Sequence, residues 1–348
     1  MYTGFPHDRC FMLYNVDQQK NMHVAEFPEM CLFTTAFAEQ AESGVPTKVV
    51  VTYTKDHAFD RPDQKIGHEA LHVSLTPETE GLEQVEITMH SSACVGYNMG
   101  EKYNRWFGDR FGYEVQLLYI GNNRRKALGN MPPGVAARQR SGLAETDGNV
   151  HRGSSWFSSI TSTAGSLVGA VIGSGHNKEN EDEDYEGVDE GLSFADVAPY
   201  LIVSTKSWEN AQRRLPEGEV MDISKFRPNI IVEGAQEDFE EDYWAELQVG
   251  NDTKFILTQN CARCNSLNVD YATGKVGEGE AGKILKKLQR DRRVDLGAKW
   301  SPVFGRYGFL ARVPEGKSAA QINVGDEVKV LKRNAARTRF EWPNLSTN

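Results

Sequence analysis

The sequence predicts a mixed α/β, mainly β protein built as two β-rich domains with a long insertion between them. Three observations carry this reading. Short β-branched or alternating runs recur at both ends of the chain, helical patterns are few, and residues 121–190 break the composition of their surroundings. Short strands with few helices point to a barrel-like architecture with helices at its ends.

In the first 120 residues, Cys10-Phe-Met-Leu-Tyr-Asn-Val16 is an apolar run closed by a polar turn at 17–21. Val49-Val-Val-Thr-Tyr53 is β-branched, and Gln84-Val-Glu-Ile-Thr-Met-His90 alternates with period two. Residues 97–111 carry aromatics at 103, 106, 107 and 111, the spacing of one helix face. Glu114-Val-Gln-Leu-Leu-Tyr-Ile120 then reads as a strand.

Residues 121–190 differ. They hold Asn130-Met-Pro-Pro-Gly134, an uncharged stretch over 153–175, and an acid run over 177–190 with eight carboxylates against one lysine. Such a length without periodic pattern reads as a largely disordered insertion or linker. Gly165, Gly169 and Gly173 form a small-residue stripe, but Ser and Thr crowd the same stretch. The expectation is a surface loop, with 153–175 the place for any membrane contact and a true span disfavoured.

Regular structure resumes near Leu192. A helix is expected over 204–215 with Ser204 as N-cap. Strands are expected over 229–232, 245–249 and 254–258, a basic helix over 282–292, and a closing hairpin over 322–330 turning at Gly325-Asp326. The expected organisation is therefore 1–120, an insertion over 121–190, a second domain over 191–333 and a tail over 334–348.

A chain of 348 residues can bury about three-quarters of its extended surface, so it needs no disulfide or metal merely to fold. Its formal charge of −10 argues against general nucleic-acid binding. Five irregularly spaced cysteines do not read as a secreted disulfide framework, which implies a reducing, intracellular compartment. No targeting segment is seen at the start, where a basic region followed by an apolar run is missing.

Three segments carry candidate chemistry. In Asn260-Cys-Ala-Arg-Cys-Asn265, Arg263 stands between Cys261 and Cys264, and a guanidinium beside a thiol favours the thiolate. Spacing alone leaves structural cysteines, soft-metal ligation and thiol redox chemistry all open. The residues after it, 265–270, look extended rather than helical, unlike a thioredoxin-type motif. In Phe226-Arg-Pro-Asn229, Pro228 biases Arg227 to an extended backbone, so Arg227 and Asn229 would point the same way and suit an anion or heteroaromatic edge. The bland alternative is a strand entrance. Gly4-Phe-Pro-His-Asp-Arg9 precedes the first strand and could be a plain turn with a surface arginine.

Taken in order, these and further segments resemble the MOSC superfamily, named for the C-terminal domain of molybdenum-cofactor sulfurase. They are closer to its two-domain subgroup that includes the amidoxime-reducing component. The pieces are Asp8-Arg-Cys-Phe-Met-Leu13, Asp196-Val-Ala-Pro-Tyr-Leu-Ile-Val-Ser204, Phe226-Arg-Pro-Asn-Ile-Ile-Val232, Trp244-Ala-Glu-Leu-Gln-Val-Gly250, Cys261-Ala-Arg-Cys264, Pro302-Val-Phe-Gly-Arg-Tyr307 and Val324-Gly-Asp-Glu-Val328. The resemblance implies a MOSC β-barrel preceded by a MOSC N-terminal-type β domain, and a molybdopterin-type molybdenum cofactor. Cys264 would be the molybdenum ligand and catalytic centre. Arg9, Asp196, Arg227, Asn229 and Arg263 would bind the cofactor, and Cys261 would be structural. The implied activity is an oxidoreductase reducing N-hydroxylated, amidoxime-like substrates, with electrons from a small b-type haem cytochrome and its flavin reductase. A mitochondrial or cytoplasmic setting goes with it. Pyridoxal phosphate enters by family association alone, with no Schiff-base lysine argued.

The chain departs from the family pattern. The sequence opens too close to Asp8-Arg9 to contain the Tyr-Pro-x-Lys-Ser strand, with its phosphate-gripping lysine and serine, and the expectation is either a truncated start with a divergent pocket or a low cofactor affinity. Val197-Ala198 replaces Thr-Ser, and His23-Val-Ala25-Glu26 replaces Thr-x-Arg-Gln. The alternatives are a non-catalytic molybdenum-cofactor or sulfur carrier, or a degenerate, cofactor-free scaffold.

Overall fold

A five-stranded antiparallel sheet forms the first half of the molecule and a curled, barrel-like six-stranded sheet the second. The structure is a computed structural model describing residues 4–38, 45–54, 69–128, 130, 132–134, 136, 190–311 and 320–340. The acid run up to residue 189 and the uncharged stretch 153–175 lie outside the described residues, as do the expectations placed on them.

In the first half, β1 (Phe11–Asn15), β2 (Lys20–Asn21), β3 (Phe33–Phe37), β4 (Lys48–Tyr53), β5 (Leu71–Ser74), β6 (Gln84–Met89), β7 (Ser92–Asn98), α1 (Glu101–Phe111) and β8 (Val115–Tyr119) follow in order. The larger sheet runs β2-β1-β8-β7-β6, and β3-β4-β5 form a second, three-stranded sheet. The aromatic face of α1 does pack inward: Phe33 stands 4.6 Å from Phe111, 5.4 Å from Phe107 and 4.8 Å from Tyr53, ring to ring. Burying such rings stabilises by roughly 1.5–3 kcal/mol each.

The helix starts later than residue 97, because Tyr97 and Asn98 belong to β7 and Gly100 takes a φ of 93° that no helix continues. Strand β7 escapes a sequence reading because its hairpin turn, His90-Ser91, reaches positive φ at both residues without any glycine.

The second half holds β9 (Tyr200–Ser204), α2 (Thr205–Arg213), β10 (Ile230–Val232), β11 (Trp244–Val249), β12 (Thr253–Ala262), β13 (Val269–Asp270), β14 (Lys275–Val276), α3 (Ile284–Gln289), β15 (Val303–Leu310) and β16 (Val328–Arg333). The six-stranded order is β10-β9-β15-β12-β11-β16, with β10 parallel to β9 and the rest antiparallel. Register shifts in β11 and β12 bend these strands, as bulges do. Every residue of β9 is buried: Leu201 and Val203 join one core, Tyr200 and Ile202 the other. Ser204 caps α2, its Oγ accepting the Ser207 N–H at 3.1 Å.

Three expectations are corrected. No hairpin forms over 322–330; the turn at Gly325 is present, but only β16 is a strand and it pairs with β11. Residues 265–268 form a 3₁₀ turn rather than an extended run, their first turn opening at Cys264. Arg227 is left-handed, with φ 54° and ψ 42°, because it closes the 3₁₀ turn Ile223–Phe226 through its N–H to the Ser224 carbonyl at 2.9 Å. Pro228 excludes the right-handed helical region at Arg227 but does not by itself impose extension.

The halves are stapled together. Arg125, 1% exposed, donates through Nη1 to the Met89 carbonyl at 3.1 Å and through Nη2 to the Asp196 carbonyl at 2.6 Å and to that of Ala195. Its backbone pairs both ways with Leu192. Residues 334–340 fold back over the barrel: Arg337 Nε donates to Asp242 at 2.7 Å, Thr338 Oγ1 accepts from Arg306 at 2.9 Å, and the Phe340 N–H donates to Asp295 at 2.9 Å.

Candidate cofactor and metal site

A solvent-open cleft, about 490 Å³ with the open space at its mouth included, is lined by Arg9, Asp196, Arg227, Asn229, Arg263 and Cys264, all six candidate residues. Cys261, Tyr307, Ser266, Phe226, Ala198 and Leu201 complete its wall. These residues come from four places: the segment before β1, the entry to β9, the turn before β10, and the end of β12 with its neighbour β15.

Strand β12 delivers the two cysteines to opposite environments. Cys261 is its penultimate residue and is 2% exposed. Pairing continues past the strand, the Arg263 N–H donating to the Pro302 carbonyl at 2.8 Å. Cys264 then sits in extended conformation at the mouth, exposed, its Sγ 3.3 Å from Ser266 Oγ.

Arg263 fills the floor. Nη1 donates to Cys261 Sγ at 3.0 Å and Nη2 to the Phe226 carbonyl at 2.9 Å, while Nε is buried without a partner. Phe226 is held in turn by stacking on Phe304 at 3.9 Å. Burial pushes the Cys261 thiol up despite the charge of Arg263. Burial likewise holds the Tyr307 phenol well above its ordinary range. A protonated thiol is a poor metal ligand, so Cys261 is the weaker donor of the pair.

Two arginines approach from above. Arg9 and Arg227 both take positive φ, 52° and 54°, a backbone conformation uncommon for residues other than glycine that clusters at functional sites. Arg9 Nη2 donates to the Arg227 carbonyl at 3.3 Å, and Nη1 pairs with Asp8. Asn229 is largely engaged by the fold: Oδ1 accepts the Leu201 N–H at 2.9 Å and Nδ2 donates to Asp8 Oδ2 at 2.9 Å. Desolvation works against the Asp196 charge, but the His90 hydrogen bond at 3.3 Å, with Arg227 and Arg9 nearby, holds its carboxyl well below the usual carboxylate range.

Sequence reading missed Asp8, His90 and Ser266 as parts of this arrangement. Tyr307 closed a recognised motif without being assigned a place. His90 carried no local signal, since it reaches the cleft from a turn more than a hundred residues away from Asp196.

Among the described residues no three His, Cys, Asp or Glu side chains gather to hold a metal ion. A metal on Cys264 would therefore take its other ligands from a cofactor. The residues fit such a group: one exposed soft thiol, three guanidiniums and an unpartnered buried Nε suit an anionic, metal-bearing molecule.

Residues 189–329 match the MOSC domain family model. The matched stretch holds every candidate site residue except Arg9. The chain is 34% identical over 139 residues to mitochondrial amidoxime reducing component 2 of Bos taurus and 33% over 138 residues to that of Rattus norvegicus. Each alignment covers 39% of this chain and 38% of the relative, so the matched stretch spans well under half of these curated proteins. A molybdenum cofactor sulfurase of Emericella nidulans is 32% identical over 110 residues, 30% of this chain and 12% of that protein. Among the described residues no helix is long and apolar enough to cross a membrane.

Proposed function

We propose that the cleft binds a molybdopterin-type cofactor and that the protein is a molybdenum-dependent oxidoreductase acting on N-hydroxylated substrates. The observation that carries this reading is the convergence of Cys264 with Arg9, Arg227 and Arg263 on one cleft from segments far apart in the chain. Cys264 Sγ would ligate molybdenum as a thiolate. Arg9 and Arg227 would bind phosphate or pterin oxygens, and Arg263 would place positive charge beneath them. The cofactor supplies two-electron oxygen-atom chemistry, while the chain supplies ligation, orientation and charge. The electron source would be a partner protein, a small b-type haem cytochrome with its flavin reductase. The similarity to mitochondrial amidoxime reducing component 2 and to a molybdenum cofactor sulfurase supports a molybdenum-cofactor association and a mitochondrial one.

A second reading, a carrier of the cofactor or of sulfur that turns nothing over, is favoured by one observation. Asn229 is already engaged by Leu201 and Asp8, and Val197 and Ala198 bring no hydroxyl, so fewer groups remain to grip a cofactor. Molybdenum and pterin content of the purified protein tests both readings together. Amidoxime reduction with an artificial electron donor separates them: bound molybdenum without turnover selects the carrier, and absence of both metal and pterin under cofactor-replete expression rejects the two.

A further inference from the structure

The surface made by α3 and the loop after it takes no part in the cleft, yet it is unlike the rest of an acidic chain. Helix α3 buries Ile284, Leu285 and Leu288. Lys286 and Arg290, four apart, lie on the outer side of the helix and its extra turn, where the Arg292 N–H donates to the Leu288 carbonyl at 2.8 Å, and Arg293 opens the loop that follows. All three are exposed and form no ion pair among the described residues. Among the described residues the nearby acids do not offset them. Asp291 is clamped by Arg214 at 2.6 and 2.8 Å, and Asp295 is buried with its Oδ1 accepting the Gly297 and Phe340 N–H groups.

The loop then presents Leu296 and Trp300, 76% and 68% exposed, from two successive turns closed by the Ala298 and Ser301 N–H groups. It is held firmly. A side chain at Gly297 would meet the Phe340 carbonyl oxygen at 1.6 Å, and the Trp300 carbonyl accepts from Gln289 at 3.4 Å. Lys299 Nζ lies 5.7 Å from the Trp300 ring centre.

We infer that this face docks on an anionic lipid surface. Leu296 and Trp300 enter the headgroup layer, and Lys286, Arg290 and Arg293 contact lipid phosphate. An indole suits that layer because its body is apolar and its N–H wet, and Lys and Arg stems lie along apolar surface while their heads stay in water. A protein partner of ordinary size needs about 800 Å² on this side with an apolar centre. Two apolar tips standing among cations suit a fluid surface that moulds around them.

Sedimentation of the full chain with vesicles tests this. Phosphatidylcholine vesicles containing a minority of phosphatidylserine should carry the protein down, pure phosphatidylcholine should not, and added salt should release it. Lys286→Glu, Arg290→Glu and Arg293→Glu should each lower partitioning at least about fivefold. Trp300→Ala should lower it about tenfold, with Trp300→Phe recovering much of the loss. Unchanged thermal midpoints confirm that these surface variants fold. Failure of the wild type to sediment with anionic vesicles overturns the inference, as do variants that bind like the wild type. If the wild type ignores vesicles but is captured by immobilised polyglutamate, and Arg290→Glu is not, the surface serves an acidic protein instead and the lipid assignment is wrong.

Discussion

Arg263 Nη1 donates to Cys261 Sγ at 3.0 Å, so the guanidinium between the two cysteines is tied to the buried one. Cys264, one residue on, is left at the mouth of the cleft with, among the described residues, only Ser266 Oγ within hydrogen-bonding reach of its thiol. The two cysteines are therefore chemically unequal. Cys264→Ser should abolish bound molybdenum with little change in stability. Cys261→Ser should keep most of the metal and lower stability by about 1–2 kcal/mol, since a hydroxyl replaces a buried thiol. Metal analysis beside urea unfolding checks both, and equal metal loss from the two would mean that the cysteines act as a pair.

Arg227 is bound to the fold through its backbone, while its side chain lines the cleft. Arg227→Ala should lower cofactor occupancy at least about tenfold while leaving the unfolding midpoint nearly unchanged, and Arg227→Lys should rescue only in part, because an ammonium lacks the planar fork. Full pterin content in the alanine variant would remove Arg227 from the site.

Asp242 is wholly buried and accepts two bonds of 2.8 Å from Arg292 and one of 2.7 Å from Arg337. Asp242→Asn leaves two guanidiniums without their counter-charge and should cost about 3–5 kcal/mol. The exposed Lys329–Glu327 pair is the contrast: Glu327→Gln should cost under about 1 kcal/mol. Chemical denaturation of both variants reads the difference.

Burial pushes the Cys31 thiol from its ordinary 9.0 up to about 11. A raised folded-state value means that folding favours the protonated form. The associated stability is complete below pH 9 and is lost as pH rises through about 11. The thermal midpoint should therefore fall across that interval, less steeply in Cys31→Ala. A Cys31→Ala protein with the same alkaline slope as the wild type would assign the effect to other groups.

Strands with a period-two or β-branched run were legible in the sequence, as β1, β4, β6 and β8 illustrate, because burial of one face writes itself into alternation. So was the capped start of α2. What stayed hidden depends on contacts between distant residues. Arg125 falls in a stretch that reads as insertion, and only the carbonyls of Met89, Ala195 and Asp196 make it a staple. Likewise the six candidate residues were found as motifs, but nothing local said that Asn229 would be held by Asp8 or that His90 would face Asp196.

The staple and the folded-back residues 334–340 bear on where this protein could be cut. The stretch 189–329 is the unit that matches the MOSC domain model. It is not a mechanical one. Excising it would remove Arg9 from the cleft, leave the Ala195 and Asp196 carbonyls without Arg125, and strip Arg337 and Thr338 from the buried Asp242 and Arg306. Sequence kinship and physical self-sufficiency have different borders here, and a fragment made to the first would lack both a wall of its cleft and a bolt of its core.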